Sequence, residues 1–266
     1  MANKIKIDDL TIYSKSHDDK TKKSILLIHG LWHGAWYWEN LMEFYFNKGY
    51  NCFAIDLPNH GKSKINKNFR FTTTNDHITA IKLVIDKLKI KPILIGHSMG
   101  SLVVTRFTNK YPESISKLIL ISPSYRGSIM TATLKTLINF PFAFLKANLF
   151  FHMYPIIAKP NQVRKLITLD SISDDELNEL CPKLEDDSYI TFVELLTRGL
   201  KRKYKDGPSI LVMSGGKDFI ISEGAARKAA KNLDAKLIIY PNNSHNLIVE
   251  TGWKTRADEL LQWIEA

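Results

Sequence analysis

Cysteine is scarce in this sequence, with only Cys52 and Cys181 among 266 residues. Two cysteines cannot form the disulfide framework on which small secreted domains depend, and such scarcity is typical of a reducing compartment. The opening residues, MANKIKIDDL, are polar and lack the apolar core of a secretory signal. We therefore expect a cytoplasmic protein.

The usual sequence signs of a metal, a nucleotide or a nucleic acid are missing too. The His, Cys and Asp residues do not follow metal-ligand spacing, and neither GxGxxG nor GxxxxGK[ST] occurs. The net charge is +10, yet the lysines are scattered rather than gathered with interleaved aromatics. We expect no cofactor, metal or nucleic-acid partner, and at most a weak contact with a membrane surface. The oligomeric state is left undetermined.

What the sequence does contain is an alternation of strands and helices. Continuous apolar runs such as residues 24–28 are typical of strands buried on both faces of a parallel sheet. We predict a doubly wound, mostly parallel α/β sheet formed by residues 1–125 and 208–266, with a terminal helix over residues 248–264. The pattern over residues 126–207 is helical but irregular, so we expect that stretch to be an inserted helical cap.

The pentapeptide GHSMG at residues 96–100 follows a short apolar run and precedes a helical segment. A serine at a sharp strand-to-helix turn takes a strained backbone conformation, and the flanking glycines leave room for chains that pass close by. The turn also places Ser98 at a helix N-terminus, where free N–H groups favour developing negative charge. Ser98 is therefore the candidate nucleophile.

An alcohol is a poor nucleophile at neutral pH, so Ser98 needs a general base, and that base needs a carboxylate to orient it. In a doubly wound sheet such groups gather at the carboxyl ends of the strands. Asp218 and His245 each follow a predicted strand by a short loop. We predict that both side chains meet Ser98. Glu223 is an alternative acid, although it lies in the first turn of a predicted helix.

Together these motifs resemble those of the α/β-hydrolase family along nearly the whole chain outside the predicted cap. Besides GHSMG, the resemblance is carried by His29-Gly30, DLPNHGKS at 56–63, GGKD at 215–218 and NNSHNLIVE at 242–250. It implies an oxyanion hole made by the backbone N–H groups of Leu31 and Met99. Asp56 and His60 are expected to be structural, and His97 to pack beside the serine.

One segment points to a branch of that family. WHGAW, residues 32–36, is similar to the plant methyl esterases and hydroxynitrile lyases. Lyases of that branch typically carry threonine where this chain has Gly30 and lysine where it has Asn246. Dehalogenases and epoxide hydrolases of this fold place aspartate at the position of Ser98. The resemblance therefore implies ester hydrolysis.

The most apolar stretch, residues 137–158, is interrupted by prolines, Lys146, Asn148 and His152, so we do not expect it to span a membrane. Its aromatic side chains would instead form an apolar wall that expels water and binds an acyl chain or an aromatic group. In this stretch the side chains expected to contact substrate are Phe140, Phe144, Phe151 and Tyr154. Trp32 and His33, which follow Leu31, are expected to contact it as well.

The resulting hypothesis is a serine hydrolase that cleaves carboxylic esters of a moderately hydrophobic small molecule through an acyl-enzyme intermediate. Its substrates would be small esters or resemble those of lysophospholipases and monoacylglycerol lipases. Thioester hydrolysis, acyl transfer and C–C bond cleavage stay open, because the fold supports all three with the same side chains. The non-enzymatic alternative is a small-molecule receptor on a hydrolase scaffold.

Overall fold

A single eight-stranded sheet forms the centre of the part of the chain that the structure describes. The computed structural model describes residues 2–19, 21–65, 68–168, 172–204 and 206–266. Across the sheet the strands are ordered β1-β2-β4-β3-β5-β6-β7-β8. The pairs β1–β2 and β2–β4 are antiparallel and the others are parallel, which confirms the predicted sheet. The strands are β1 (Asn3–Ile7), β2 (Leu10–Lys15), β3 (Ser24–Ile28), β4 (Asn51–Asp56), β5 (Ile93–His97), β6 (Lys117–Ile121), β7 (Ser209–Gly215) and β8 (Lys236–Tyr240).

Helices connect the strands and cover both faces of the sheet. Because side chains alternate along a strand, Leu26 and Ile28 of β3 enter one apolar cluster and Ile25 and Leu27 enter the other. The first cluster includes side chains of α2, α3 and α9, and the second those of α1 and α10. The helices are α1 (Glu39–Asn47), α2 (Thr74–Leu88), α3 (Met99–Lys110), α4 (Arg126–Asn139), α5 (Pro141–Phe150), α6 (Pro160–Val163), α7 (Asp174–Leu180), α8 (Tyr189–Thr197), α9 (Glu223–Leu233) and α10 (Trp253–Glu265).

The order of the strands brings two loops together at the carboxyl edge of the sheet. From β3 the chain passes to β4 on one side, and it returns to place β5 on the other side of β3. In open α/β sheets the crevice at such a reversal is where ligands bind. The loop that follows β3 and the turn that follows β5 therefore lie beside each other at this point.

Helices α4 to α8 lie in the chain between β6 and β7, as the fold prediction expected of an inserted helical segment. Among the described residues, no single helix is both long and apolar enough to cross a bilayer. Helices α4 and α5 are apolar when taken together, but the chain bends by 116° between them.

The terminal helix begins later than predicted, at Trp253 rather than at Ile248. The intervening residues form turns, and Gly252 before the helix has a left-handed φ of +79°. The carboxylate of Glu250 bonds backward to the loop that carries His245, so this segment closes that loop instead of extending the helix.

Candidate active site

Ser98 occupies the turn between β5 and α3 with φ +50° and ψ −118°. A positive φ at a residue other than glycine costs about 1–3 kcal/mol, so surrounding structure must hold it in place. The Ser98 N–H donates to the Ile121 carbonyl at 2.9 Å, and the Ser98 carbonyl accepts from the Ser101 N–H at 2.9 Å. These bonds fix the turn from both sides.

The two glycines of GHSMG are required by close backbone packing. A Cβ atom at Gly96 would lie 2.6 Å from the Gly100 carbonyl oxygen and from a Val104 methyl group. A Cβ at Gly100 would lie 2.5 Å from the carbonyl oxygen of Ile28 in the neighbouring strand. Real Cβ atoms do not approach other atoms so closely, so any larger residue would displace the serine.

The side chains of Ser98, His245 and Asp218 form one series of hydrogen bonds. The Ser98 hydroxyl lies 2.9 Å from His245 Nε2, and His245 Nδ1 lies 2.7 Å from Asp218 Oδ2. The other carboxylate oxygen of Asp218 accepts from the N–H groups of Ile220 at 2.8 Å and Ile221 at 2.9 Å. With Nδ1–H donating to the carboxylate, Nε2 is free to accept the hydroxyl proton.

The loops that carry the carboxylate and the imidazole are packed against each other. The Lys217 N–H donates to the Asn243 carbonyl at 2.9 Å. A Cβ at Gly215 would lie 2.2 Å from the carbonyl oxygen of Ser244, which explains the glycine before Asp218. Glu223, the alternative acid, lies instead on the surface of α9, where it bonds to Arg227.

The loop after β3 lies against the serine. A Cβ atom at Gly30 would lie 2.9 Å from Ser98 Cβ, and the next residue, Leu31, lines the same cavity as Ser98. His29 fixes this loop: its Nδ1 donates to the Gly30 carbonyl at 2.9 Å, and its Nε2 accepts from the Leu57 N–H at 3.1 Å. Burial holds the pKa of His29 well below its usual range, consistent with a neutral ring.

A cavity opens onto Ser98 beneath the inserted helices. Besides Ser98, the lining side chains that carry a polar atom are Trp32, Thr133 and Thr136, and the hydroxyls of both threonines donate to carbonyl groups of their own helix. The described wall is therefore apolar in character. Its residues are Leu31, Trp32, Ser98, Ile129, Ala132, Thr133, Thr136, Phe144, Met153, Ile156, Leu166, Phe192, Leu195 and Ile220.

Residues 19–252 match the family model Hydrolase_4, which is described as serine aminopeptidase, S33. The chain belongs to this α/β-hydrolase family. The predicted family resemblance is thus confirmed over most of the chain.

Individual relatives of this chain are distant. Methyl jasmonate esterase 1 of Vitis vinifera is 27% identical over 110 residues, which cover 41% of this chain and 42% of that protein. The 2-hydroxy-6-oxononadienedioate/2-hydroxy-6-oxononatrienedioate hydrolase of Escherichia coli K12 is 32% identical over 120 residues, which cover 43% and 41%. The chain spans less than half the length of the curated relatives it matches.

Solved structures match this chain over a longer stretch. The crystal structure of monoacylglycerol lipase from Paleococcus ferrophilus has a TM-score of 0.71 to it and 19% sequence identity. That match covers 96% of this chain and 97% of the lipase. At this identity the likeness shows a shared fold.

The main chain at His245 is held by side chains from the end of β5 and from the residue after β6. The Ser122 hydroxyl donates to the His245 carbonyl at 2.8 Å, and His97 Nε2 donates to it at 3.1 Å. Burial holds the pKa of His97 well below its usual range, consistent with a neutral ring. His97 thus packs beside the serine, as expected, and supports the histidine through its backbone.

Glu250 organises the histidine loop, and the sequence interpretation gave it no role. Its carboxylate accepts from the N–H groups of Ser244 and Asn246, each at 3.0 Å, and from the Asn243 side chain at 3.0 Å. Glu250 is fully buried. A carboxylate five residues after the candidate base is visible in NNSHNLIVE, but the predicted terminal helix begins at Ile248 and so includes Glu250, which gives that carboxylate no predicted contact with the loop before it.

A second missed residue, Asp187, reaches the loop after β3 from the inserted helical segment. Trp32 has a left-handed φ of +67°, its N–H donates to Asp187 Oδ2 at 2.8 Å, and its carbonyl accepts from the Glu185 N–H at 2.9 Å. Because 155 positions separate the two residues, no local pattern could have indicated this contact. The inserted segment therefore holds the peptide groups of Trp32, next to Leu31.

The Asp187 carboxylate that accepts from Trp32 also forms a buried ion pair with His60. His60 Nε2 lies 3.0 Å from Asp187 Oδ2, and Nδ1 lies 3.2 Å from the Pro58 carbonyl, so both ring nitrogens have acceptors. Burial opposes protonation, but the Asp187 carboxylate outweighs it and raises the pKa of His60. Burial likewise opposes ionisation of Asp187, yet His60 holds the pKa of Asp187 below its usual range.

Asp56 is structural, as expected. Its carboxylate oxygens accept from the N–H groups of Ala35 and Lys62, both at 2.8 Å. Burial raises the pKa of Asp56. The DLPNHGKS loop is thereby tied to the segment that follows β3.

The predicted substrate-binding residues divide into two groups, and part of the prediction needs correction. Trp32 and Phe144 line the cavity. The others lie elsewhere in the described structure: the His33 ring donates to the Leu31 carbonyl and stacks on Trp36, and Phe140 borders a groove on the outer surface. Phe151 and Tyr154 are 55% and 39% exposed. Apolar character predicted a wall but could not tell which side of each helix faces inward. Met153, which lies in the predicted apolar stretch, also lines the cavity, whereas Ile156, Leu166, Phe192, Leu195 and Ile220 line it without having been predicted.

No metal site accompanies these groups in the described part of the chain, where no cluster of three or more His, Cys, Asp or Glu side chains could hold an ion.

Breaking the buried ion pair is expected to destabilise the protein. Asp187→Asn leaves His60 without its counter-charge, so the free energy of unfolding should fall by about 3 kcal/mol near pH 6. Because the pKa of His60 is raised in the folded state, the pair's contribution is complete below the ordinary histidine pKa of about 6.5 and declines as the pH rises through the raised value. The loss should therefore shrink near about pH 9.

Urea denaturation of Asp187→Asn, His60→Gln and the double variant at both pH values measures this coupling. Asp186→Asn is the matched control, because Asp186 pairs with His152 at a partly exposed position. Additive single effects, or a loss that grows with pH, would contradict the assigned pair.

Proposed function

We propose that this hydrolase cleaves carboxylic esters with an apolar acyl group, using Ser98 as the nucleophile. The observation that carries the proposal is the hydrogen-bonded series from Asp218 through His245 to the Ser98 hydroxyl, ending at an apolar cavity. The three side chains are at most 7% exposed. Exclusion of water strengthens the electrostatic interactions among them.

The proposed reaction has two halves. Ser98 Oγ attacks the ester carbonyl carbon while its proton passes to His245 Nε2, and Asp218 stabilises the resulting imidazolium. The imidazolium returns the proton to the departing alkoxide, which leaves as the alcohol. Water then attacks the acyl-enzyme by the same route, releasing the carboxylic acid and restoring the Ser98 hydroxyl.

The proposed oxyanion donors are the backbone N–H groups of Met99 and Leu31. Met99 is the first residue of α3, so its N–H has no acceptor within the helix. Leu31 is positioned by the close approach of Gly30 to Ser98 and by the bonds that hold the Trp32 peptide groups. Such donors contribute roughly 3 kcal/mol each, because they bind charge that develops only in the transition state.

The wall of the cavity supports a neutral apolar acyl group. Among the described residues that line it there is no Lys or Arg, and the hydroxyls of both threonines bond within α4. The name of the Escherichia coli relative denotes a dicarboxylate substrate. A buried dianion would need cationic partners, so this cavity favours an ester over such a substrate.

Replacement of the nucleophile tests the chemistry. In Ser98→Ala, hydrolysis of p-nitrophenyl butyrate should fall by at least about 10⁴-fold, because no covalent intermediate can form. A fluorophosphonate probe should label the unchanged protein at Ser98, as read by peptide mass spectrometry. Ser124→Ala is the matched control, since Ser124 is buried and its side-chain oxygen has no partner in the described structure. Retained hydrolysis in Ser98→Ala, or labelling at another residue, would reject the proposal.

Filling the cavity tests the acyl site. Ala132 is a small lining residue, and Ala132→Phe should lower kcat/KM for p-nitrophenyl octanoate by about tenfold or more relative to the acetate, because the added ring occupies acyl space. Ala143→Phe, on the outer surface of α5, is the control for the same substitution outside the cavity. An equal fall in kcat/KM for both esters would show that the acyl chain binds outside this cavity.

A further inference from the structure

Helices α4 and α5 carry a set of large apolar side chains that are open to solvent. Ile138 is 78% exposed and Phe142 is 86% exposed, values far beyond those of core residues. Large apolar side chains that are exposed together on neighbouring helices are typical of an interaction site. We call the set the outer cap face; its members are Met130, Leu134, Leu137, Ile138, Phe142, Leu145, Leu149 and Phe150.

The same two helices are also apolar on their inner side. On α4, Ile129, Ala132 and Thr136 line the cavity at helical spacing, and Phe144 of α5 joins them. A helix that is apolar on opposite sides is normally covered on both. Here the inner side faces the cavity and the protein core, whereas the outer side is exposed to solvent.

The charged residues in and around α4 and α5 are of one sign. From Ser114 to Leu169 the sequence has no Asp or Glu. A groove on the outer surface beside Phe142 is bordered by Lys146 and Lys159. The other cations from residue 126 to residue 165 are Arg126, Lys135, Arg164 and Lys165, of which Arg164 pairs with Asp174. An anionic surface complements this arrangement.

The geometry suits the surface of a bilayer and not its interior. Neither helix alone can cross a membrane, and the 116° bend prevents α4 and α5 from acting as one continuous span. Short helices with an apolar side and flanking lysines lie in the interfacial plane, with the apolar groups at the boundary between headgroups and acyl chains.

We propose that the outer cap face docks on anionic lipid bilayers, with its apolar side chains inserted and Lys146 and Lys159 at lipid phosphates. A second copy of the chain is a poorer occupant, because a two-fold contact would bring the same cationic face against itself. The proposal goes beyond ester hydrolysis, and docking is measured without turnover.

Vesicle flotation with the full chain tests the proposal. The protein should float with phosphatidylcholine vesicles that contain phosphatidylglycerol, more weakly with phosphatidylcholine alone, and less as salt is raised. The triple variant Ile138→Ser, Phe142→Ser, Leu149→Ser should partition about tenfold more weakly, because it loses its inserting groups. The double variant Lys146→Glu, Lys159→Glu should lose about tenfold or more on the anionic vesicles.

The matched control is Lys228→Glu, Lys231→Glu, which makes the same charge change at exposed positions of α9. It should bind vesicles nearly as well as the unchanged protein. Thermal unfolding confirms that each variant is folded, and hydrolysis of a soluble short-chain ester should be unaffected in all of them. Equal binding by all variants would overturn the proposal. So would a concentration-dependent dimer that the triple serine variant abolishes while vesicle binding is absent.

Discussion

The structure of the site depends on one strained residue, Ser98, held between a buried strand and a helix. Its left-handed φ is maintained because Gly96 and Gly100 allow α3 to approach β5 and the end of β3 closely. The strain keeps the hydroxyl clear of the helix and directs it toward His245. A turn without these glycines would relax, and the hydroxyl and imidazole would no longer meet.

Around this turn, buried carboxylates fix loops that have no regular structure of their own. Glu250 holds the loop of His245, Asp56 ties the segment after β3 to the DLPNHGKS loop, and Asp187 holds the Trp32 peptide. Each accepts several N–H groups, so each satisfies backbone donors that burial would otherwise leave unpaired. The proposed catalytic groups are therefore supported by polar contacts as well as by apolar packing. Because Asp187 belongs to the inserted helical segment, that segment also helps to hold the loop after β3 in place at the site.

Much of this arrangement could be predicted from local sequence. Apolar runs such as SILLI indicated buried parallel strands, and the strand ends placed Ser98, Asp218 and His245 at one edge, where the structure brings them together. Local patterns could not predict which way each side chain points or which distant segments of the chain contact each other. Phe151 is as apolar as Phe144, yet only the latter faces the cavity, and the contact of Asp187 with Trp32 joins segments far apart in the chain.

The central claim is that Asp218 orients His245 so that its Nε2 can take the proton of Ser98. The most direct test is the rate at which a fluorophosphonate modifies Ser98 in Asp218→Asn, whose side-chain oxygen can still accept the N–H groups that Asp218 now bonds. The account predicts a rate about 10³–10⁴-fold lower, with unfolding unchanged to within about 1 kcal/mol, because the wrong imidazole tautomer would face the serine. An unchanged rate in the folded variant would contradict it.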